Sequence, residues 1–100
     1  PAESVTGPQA LVLSMDEESL GNVVAMTSAL RKAGIRASSY PTAAKLKKQM
    51  KYAADLQVAY VLMAGEDERA NGAWTVRHME TGNQQQLPTA DAIRHILSGL

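Results

Sequence analysis

Cysteine is absent from the 100-residue sequence, which excludes a disulfide scaffold, a thiol nucleophile and a cysteine-ligated zinc site. No apolar run approaches the roughly 18 residues that span a membrane, so no membrane partner is expected. An excess of one charge sign is also lacking. Ten Lys and Arg balance ten Asp and Glu, which excludes an acidic or polybasic disordered arm. The length corresponds to one domain, and 45% hydrophobic residues are enough for a single core.

Motifs that would indicate catalysis are absent as well. The sequence has no G-x-S-x-G, no H-E-x-x-H and no phosphate-binding G-x-x-x-x-G-K-[ST]. His78 and His95 fall in different predicted elements, and Glu66-Asp67-Glu68 is typical of a solvated acidic turn. We therefore predict no catalytic residue and no metal site, and a small α/β enzyme or nucleotide-binding domain is the least favoured function.

Apolar runs and helical periodicity predict the element order β-α-β-α-β-β-β-α. Strands are expected at residues 9–15, 35–40, 58–64, 73–79 and 84–87, and helices at 17–33, 42–56 and 89–100. Thr42 is the predicted cap of the second helix, and polar turns are expected at 65–72 and 81–83.

This order predicts an α/β fold. Strands that alternate with helices indicate parallel βαβ units, whereas the last two strands indicate an antiparallel hairpin. The expected architecture is a mixed, mostly parallel sheet of about five strands flanked by three helices. Residues 9–100 form this domain, and the polar residues 1–8 are expected to be a linker that enters it from a longer protein.

Positive charge is concentrated in one fifth of the chain. Residues 31–51 contain seven of the ten basic residues and no acidic one. On the predicted second helix, the expected core arc holds Ala43, Leu46, Met50, Ala53 and Ala54. The opposite side, here called the basic face, holds Lys45, Lys47, Lys48, Lys51 and Tyr52. Like charges on one helix repel each other, so the basic face is either a solvated surface or a site for a phosphate backbone.

Three side chains are candidates for contacts with unpaired bases. Tyr52 borders the basic face and is the predicted stacking residue, whereas Tyr60 lies in an apolar run and is predicted to be core. Glu68 and Arg77 lie on either side of a predicted turn and can reach the same sheet edge. A carboxylate accepts hydrogen bonds from base amino groups, and arginine donates to base acceptors. The alternative, which spacing alone favours, is a salt bridge between them.

Four segments resemble the anticodon-binding domains of class II aminoacyl-tRNA synthetases, in the same order. Residues 30–35 (LRKAGI) resemble the LR-x-x-GI junction of that family, and residues 44–55 (AKLKKQMKYAAD) resemble the K-x-KKQ-x-x-x-A-D helix of its histidyl branch. Residues 64–72 (AGEDERANG) are similar to the GE-x-E-x-x-G turn, and residues 75–84 (TVRHMETGNQ) to the TVK-(D/N)-x-x-TGEQ hairpin. The resemblance as a whole runs from about residue 10 to residue 100, which is nearly the whole chain.

The resemblance implies a fold and a parent protein. The family fold is a mixed five-stranded sheet with three helices, in agreement with the periodicity. In the histidyl branch this domain follows a catalytic domain that activates histidine with ATP and magnesium and attaches it to tRNA. The resemblance therefore implies a cytoplasmic homodimer that binds the tRNA anticodon stem-loop here, with no cofactor in this domain. Residues 1–8 are then expected to link this domain to the missing catalytic domain.

The resemblance also implies site residues. Positions matching Lys51, Glu68 and Arg77 contact anticodon bases or nearby backbone in class II relatives. Lys45, Lys48 and Gln49 are added from the basic face, and Tyr52 is added as the stacking residue. The complete predicted tRNA-binding site consists of Lys45, Lys48, Gln49, Lys51, Tyr52, Glu68 and Arg77. Asn83 stands where the family has Glu, and Arg77 replaces a commoner Lys with a planar fork. A regulatory histidyl-synthetase paralogue, or a stand-alone domain that mediates protein assembly, remains the alternative function.

Overall fold

The computed structural model describes residues 7–100, so most of the predicted linker at 1–8 lies outside the described residues. Its strands are β1 (Ala10–Val12), β2 (Ala37–Ser39), β3 (Tyr60–Met63), β4 (Ala73–His78) and β5 (Gln84–Pro88). Its helices are α1 (Leu20–Lys32), α2 (Leu46–Leu56), α3 (Glu66–Ala70) and α4 (Thr89–Gly99), and a 3-10 turn at Glu17–Ser19 precedes α1.

The five strands form one mixed sheet in the order β2-β1-β3-β4-β5. β1 pairs in parallel with β2 and β3, because helices α1 and α2 provide the crossover connections that parallel neighbours require. β3, β4 and β5 pair antiparallel. The predicted mixed five-stranded α/β fold is confirmed, although half of the pairings are parallel rather than most of them.

Both faces of the sheet are covered at its centre. Residues of β1 alternate between the faces, so that Ala10 and Val12 pack toward α1 and α4, while Leu11 packs toward α2. All three are completely buried, which explains the continuous apolar run in this part of the sequence. Tyr60, on the α1 and α4 face, is 3% exposed, so its predicted core position is confirmed.

The predicted polar turn at 65–72 contains the additional helix α3, so residues 7–100 contain four α-helices instead of the three predicted. Glu66, Asp67 and Glu68 occupy its first turn, where negative charge interacts favourably with the helix dipole. Five residues are too few for an independently stable helix, so α3 depends on contacts with the rest of the domain.

Helix α2 begins at Leu46, so the prediction that Thr42 caps it is wrong. Lys45 occupies the cap position with an extended backbone. The preceding residue, Ala44, is held outside the helix because its carbonyl accepts a hydrogen bond from the side chain of Gln49. The predicted turn at 81–83 is confirmed, and Gly82 provides its positive φ of 79°.

Candidate nucleic-acid interface

The four lysines of the basic face are all exposed to solvent. Lys51 forms an ion pair with Asp55 at 3.5 Å, and both side chains are largely exposed, at 79% and 67%. Such an i, i+4 surface pair contributes little and is screened by salt. Within residues 7–100 it is the only ion pair that involves a lysine, so the basic face keeps most of its positive charge.

Gln49 does not belong to the exposed surface, so its predicted contact with tRNA is wrong. Its side chain is completely buried between α2 and the end of β1. The amide oxygen accepts a hydrogen bond from the Ser14 N–H at 2.8 Å. The amide nitrogen donates to the carbonyls of Ser14 and Ala44, both at 2.8 Å. Gln49 therefore fastens α2 to the strand below it.

The buried stripe of α2 differs from the predicted core arc. Gln49 and Ala53 form its centre, whereas Leu46 is 42% exposed and Ala54 is exposed. Gln49 lies three residues after Leu46 and four before Ala53, which is helical spacing for one face. This helical spacing is the feature of the sequence from which the burial of Gln49 could have been predicted.

Tyr52 is 42% exposed, and its ring packs edge to face against Tyr40 with 5.3 Å between ring centroids. Because Tyr40 follows β2, this contact shows that the flank of α2 that carries Tyr52 faces the β2 edge of the sheet. Lys48 lies on the same flank by helical geometry, whereas Lys47 lies on the flank toward β4. Tyr52 is therefore not adjacent to Arg77, although both are on the α2 side of the sheet.

The β4–β5 half of the α2 side forms a polar surface. Strand register places Leu11, Val61, Arg77 and Gln84 in one row across four strands. A second row contains Met63, Thr75 and Gln86. Helix α2 packs on the apolar parts of both rows and leaves Gln84 and Gln86 exposed. We call Thr75, Arg77, Gln84 and Gln86 the open half-face, although Thr75 itself is buried beneath Glu68.

The structure brings Glu68 and Arg77 to this open half-face from α3 and β4. Glu68 Oε2 accepts a hydrogen bond from Thr75 Oγ1 at 3.0 Å. Arg77 Nη1 lies 3.5 Å from Gln84 Oε1. Within residues 7–100 Glu68 and Arg77 form no ion pair, so the salt bridge that spacing favoured is wrong. The Nε of Arg77 is buried and has no partner there, and its Nη2 forms no hydrogen bond within residues 7–100.

Helix α3 is fastened to the loop after β1 by an ion pair. Arg69 Nη1 lies 2.9 Å from Asp16 Oδ1, and only 18% of the Arg69 side chain is exposed. The same carboxylate oxygen accepts the Ser19 N–H at 2.8 Å as part of a capping box. The Arg69 guanidinium holds the pKa of Asp16 below its ordinary value of 3.8; desolvation opposes the shift, and the hydrogen bonds from Ser19 support it. This contact fixes the position of α3 and of Glu68 on it.

Asp16→Asn is expected to reduce the loss of stability in acid. A carboxyl group with a lowered pKa stabilises the folded state fully above its unfolded pKa, here near 3.8. That contribution is lost as the pH falls through the lower pKa of the folded state. Asparagine keeps the cap but cannot titrate. Urea midpoints measured between about pH 6 and pH 2 should therefore fall less steeply for Asp16→Asn than for the wild type.

Arg69→Met provides the matched variant, because it removes the main cause of the Asp16 shift and leaves the carboxyl group in place. It should also flatten the acid profile relative to the wild type. Parallel profiles for all three proteins would contradict the role assigned to this ion pair.

No group of three or more His, Cys, Asp or Glu side chains in residues 7–100 could hold a metal ion. No helix in that range has the length and apolarity needed to cross a membrane.

The sheet order, the helices on both faces and the open half-face define an α/β domain of the class found in aminoacyl-tRNA synthetases. The crystal structure of histidyl-tRNA synthetase from Nostoc sp. PCC 7120 superimposes with a TM-score of 0.90 and 23% identity, covering 94% of this chain and 23% of that one. The RNA binding domain of threonyl-tRNA synthetase from Cryptosporidium parvum superimposes with a TM-score of 0.85 and 28% identity. That match covers 91% of this chain and 23% of the other.

Sequence comparison identifies the family. The profile of the family described as "Anticodon binding domain" matches residues 9–98, so the chain belongs to the anticodon-binding domain family. Histidine–tRNA ligase from Porphyromonas gingivalis is 45% identical over 92 residues, which are 92% of this chain and 20% of that protein. The chain thus spans about one fifth of the length of the curated relatives it matches. The predicted family membership is confirmed.

Proposed function

We propose that this chain is the anticodon-binding domain of a histidine–tRNA ligase and that its ligand is the anticodon stem-loop of histidine tRNA. The observation that carries the proposal is the open half-face, where Glu68 and Arg77 both lie on the same side of the sheet as the basic face of α2. The names of the relatives support the histidine branch. Their identity of 45% in one case exceeds what fold similarity alone requires.

The two surfaces perform different parts of this recognition. Lysines of the basic face contact phosphates, which positions the RNA and makes binding sensitive to salt. The Nη2 atom of Arg77 forms no hydrogen bond within residues 7–100 and can donate to a base acceptor, and Glu68 has a second carboxylate oxygen for a base amino group. Lys48 and Tyr52, on the β2 flank, contact RNA farther from these two residues. Tyr52 presents an exposed ring edge and face for stacking.

The activity of the parent protein belongs to the remainder of its chain. ATP and Mg²⁺ do not fit residues 7–100, which have neither a phosphate-binding loop nor a cluster of metal ligands. We assign both to a separate catalytic domain, joined to residues 9–100 by the linker at 1–8. Attachment of histidine to tRNA by a cytoplasmic homodimer is therefore the proposed activity of the whole protein, and RNA binding is the proposed activity of this part.

A titration with RNA tests the proposal. The 100-residue chain is titrated at low salt with a histidine tRNA anticodon stem-loop and with a matched stem-loop whose anticodon is scrambled. Both RNAs offer the same number of phosphates, so backbone contacts alone give equal affinities. We expect tighter binding to the intact anticodon, by about tenfold or more, because base contacts discriminate at that scale.

Each other outcome argues against part of the proposal. Equal binding to both stem-loops would overturn base recognition by this domain and leave only backbone affinity. No binding to either would overturn RNA recognition as a whole and favour a regulatory paralogue that contacts protein instead.

A further inference from the structure

Three consecutive glutamines in β5 divide between the two faces of the sheet. Gln85 is opposite Val76 in the register and lies on the α4 side, where its Nε2 is 3.4 Å from Nε2 of His95. Gln84 is opposite Arg77, and Gln86 is opposite Thr75, so both glutamines lie on the open half-face. Both are exposed to solvent. Two of the three glutamine side chains thus lie on the candidate interface, and the third lies on the opposite face of the sheet.

The position of β5 gives access to the two amides. It is an edge strand, and no helix packs over Gln84 or Gln86 on this side. Gln84 Oε1 lies 3.5 Å from Arg77 Nη1, a long contact that another acceptor can replace. The side chain of Gln86 forms no hydrogen bond with any other residue in the range 7–100. Neither amide is therefore committed to holding the fold together.

Glutamine on an exposed surface is suited to base recognition in a way that a lysine is not. Its amide offers a donor and an acceptor side by side and can bind a base edge through two hydrogen bonds. It carries no charge, so it adds discrimination without adding phosphate affinity. Residues two apart on a strand are about 7 Å apart, roughly twice the 3.4 Å spacing of stacked bases. The pair therefore matches splayed, unstacked bases of a loop rather than neighbours in a helix.

We propose that Gln84 and Gln86 are specificity-determining residues that bind the edges of unpaired anticodon-loop bases beside Arg77. This inference rests on the proposed function, since it assumes that the open half-face binds RNA. It adds to the predicted site two residues that carry no charge. It also distinguishes them from Gln85, whose amide lies on the other side of the sheet.

Three alanine variants test the inference: Gln84→Ala, Gln86→Ala and the control Gln85→Ala. Each is titrated with the intact and the scrambled stem-loop at several salt concentrations. Gln84→Ala and Gln86→Ala should each reduce the preference for the intact anticodon by about tenfold, with an unchanged salt slope. Gln85→Ala should keep the preference of the wild type.

The side-chain amide signals of the wild type in nitrogen–proton correlation spectra provide a second measurement that does not depend on variants. Addition of the intact stem-loop should shift the Nε2 signals of Gln84 and Gln86 more than that of Gln85. If the wild type discriminates but both variants discriminate equally well, the inference is overturned and the proposed function stands. If the wild type binds neither stem-loop, the proposed function is overturned together with the inference.

Discussion

Gln49→Leu is expected to lower the free energy of unfolding by about 3 kcal/mol, although leucine and glutamine are similar in size and leucine is the more hydrophobic. The reason is that the substitution removes three hydrogen bonds at one buried position. Ser14 is completely buried, so both its N–H and its carbonyl would be left without a partner and away from water. Each such orphaned group costs about 1–3 kcal/mol, and the apolar gain of leucine offsets only part of the sum.

Urea unfolding of the wild type and two variants measures this effect. Gln86→Leu is the matched control, because it makes the same substitution at an exposed site, and its stability should stay within about 0.5 kcal/mol of the wild type. A Gln49→Leu variant as stable as this control would show that the bonds to Ser14 and Ala44 contribute nothing net. Gln49 would then be a buried side chain that any residue of its volume could replace.

The burial of Gln49 was not predicted from the sequence. Helical spacing placed residue 49 near the arc that faces the sheet, but the polarity of glutamine argued for the opposite side. Burial of an amide is favourable only when both of its ends find partners, and those partners are the backbone of Ser14 and Ala44, 35 and 5 residues away. The sequence of α2 alone does not show that the backbone of Ser14, beyond the end of β1, provides hydrogen-bond partners for Gln49.

Most of the fold followed from periodicity because hydrophobic burial decides it. The run at 58–64 is apolar on both faces, and β3 is indeed covered on both faces at the centre of the sheet. Helix α3 escaped prediction because its five residues carry charge and no apolar stripe. Contacts distant in sequence hold it in place, namely the ion pair from Arg69 to Asp16 and the bond between Glu68 and Thr75.

The candidate site was predictable only in part. Glu68 and Arg77 could be placed on one surface because the turn between them is short, and the structure does bring them to the open half-face. Their contact with bases stays a prediction. Gln84 and Gln86 were not recognised, because a run of three glutamines has no periodicity of its own. Only the register of β5 against β4 shows which amides share a face with Arg77.

Reversing two charges on the basic face should produce the largest change in RNA binding. The double variant Lys48→Glu, Lys51→Glu is expected to bind the anticodon stem-loop about a hundredfold more weakly at low salt, since each charge-assisted contact is worth roughly tenfold. The loss should be the same for intact and scrambled anticodons, because phosphates carry no sequence information. The slope of log affinity against log salt should become shallower by about two.

A control with the same total charge change separates a local contact from a general effect of net charge. Lys32→Glu with Arg94→Glu alters α1 and α4, which cover the other face of the sheet, and both side chains are exposed. At low salt, long-range repulsion acts on the RNA from either face, so the two double variants are also compared at 0.1 M salt, where this repulsion decays within about 10 Å and direct phosphate contacts persist. The control should therefore weaken binding much less and leave the salt slope nearly unchanged. If both double variants lose affinity equally, α2 provides only net charge, and the RNA backbone must lie elsewhere on the domain.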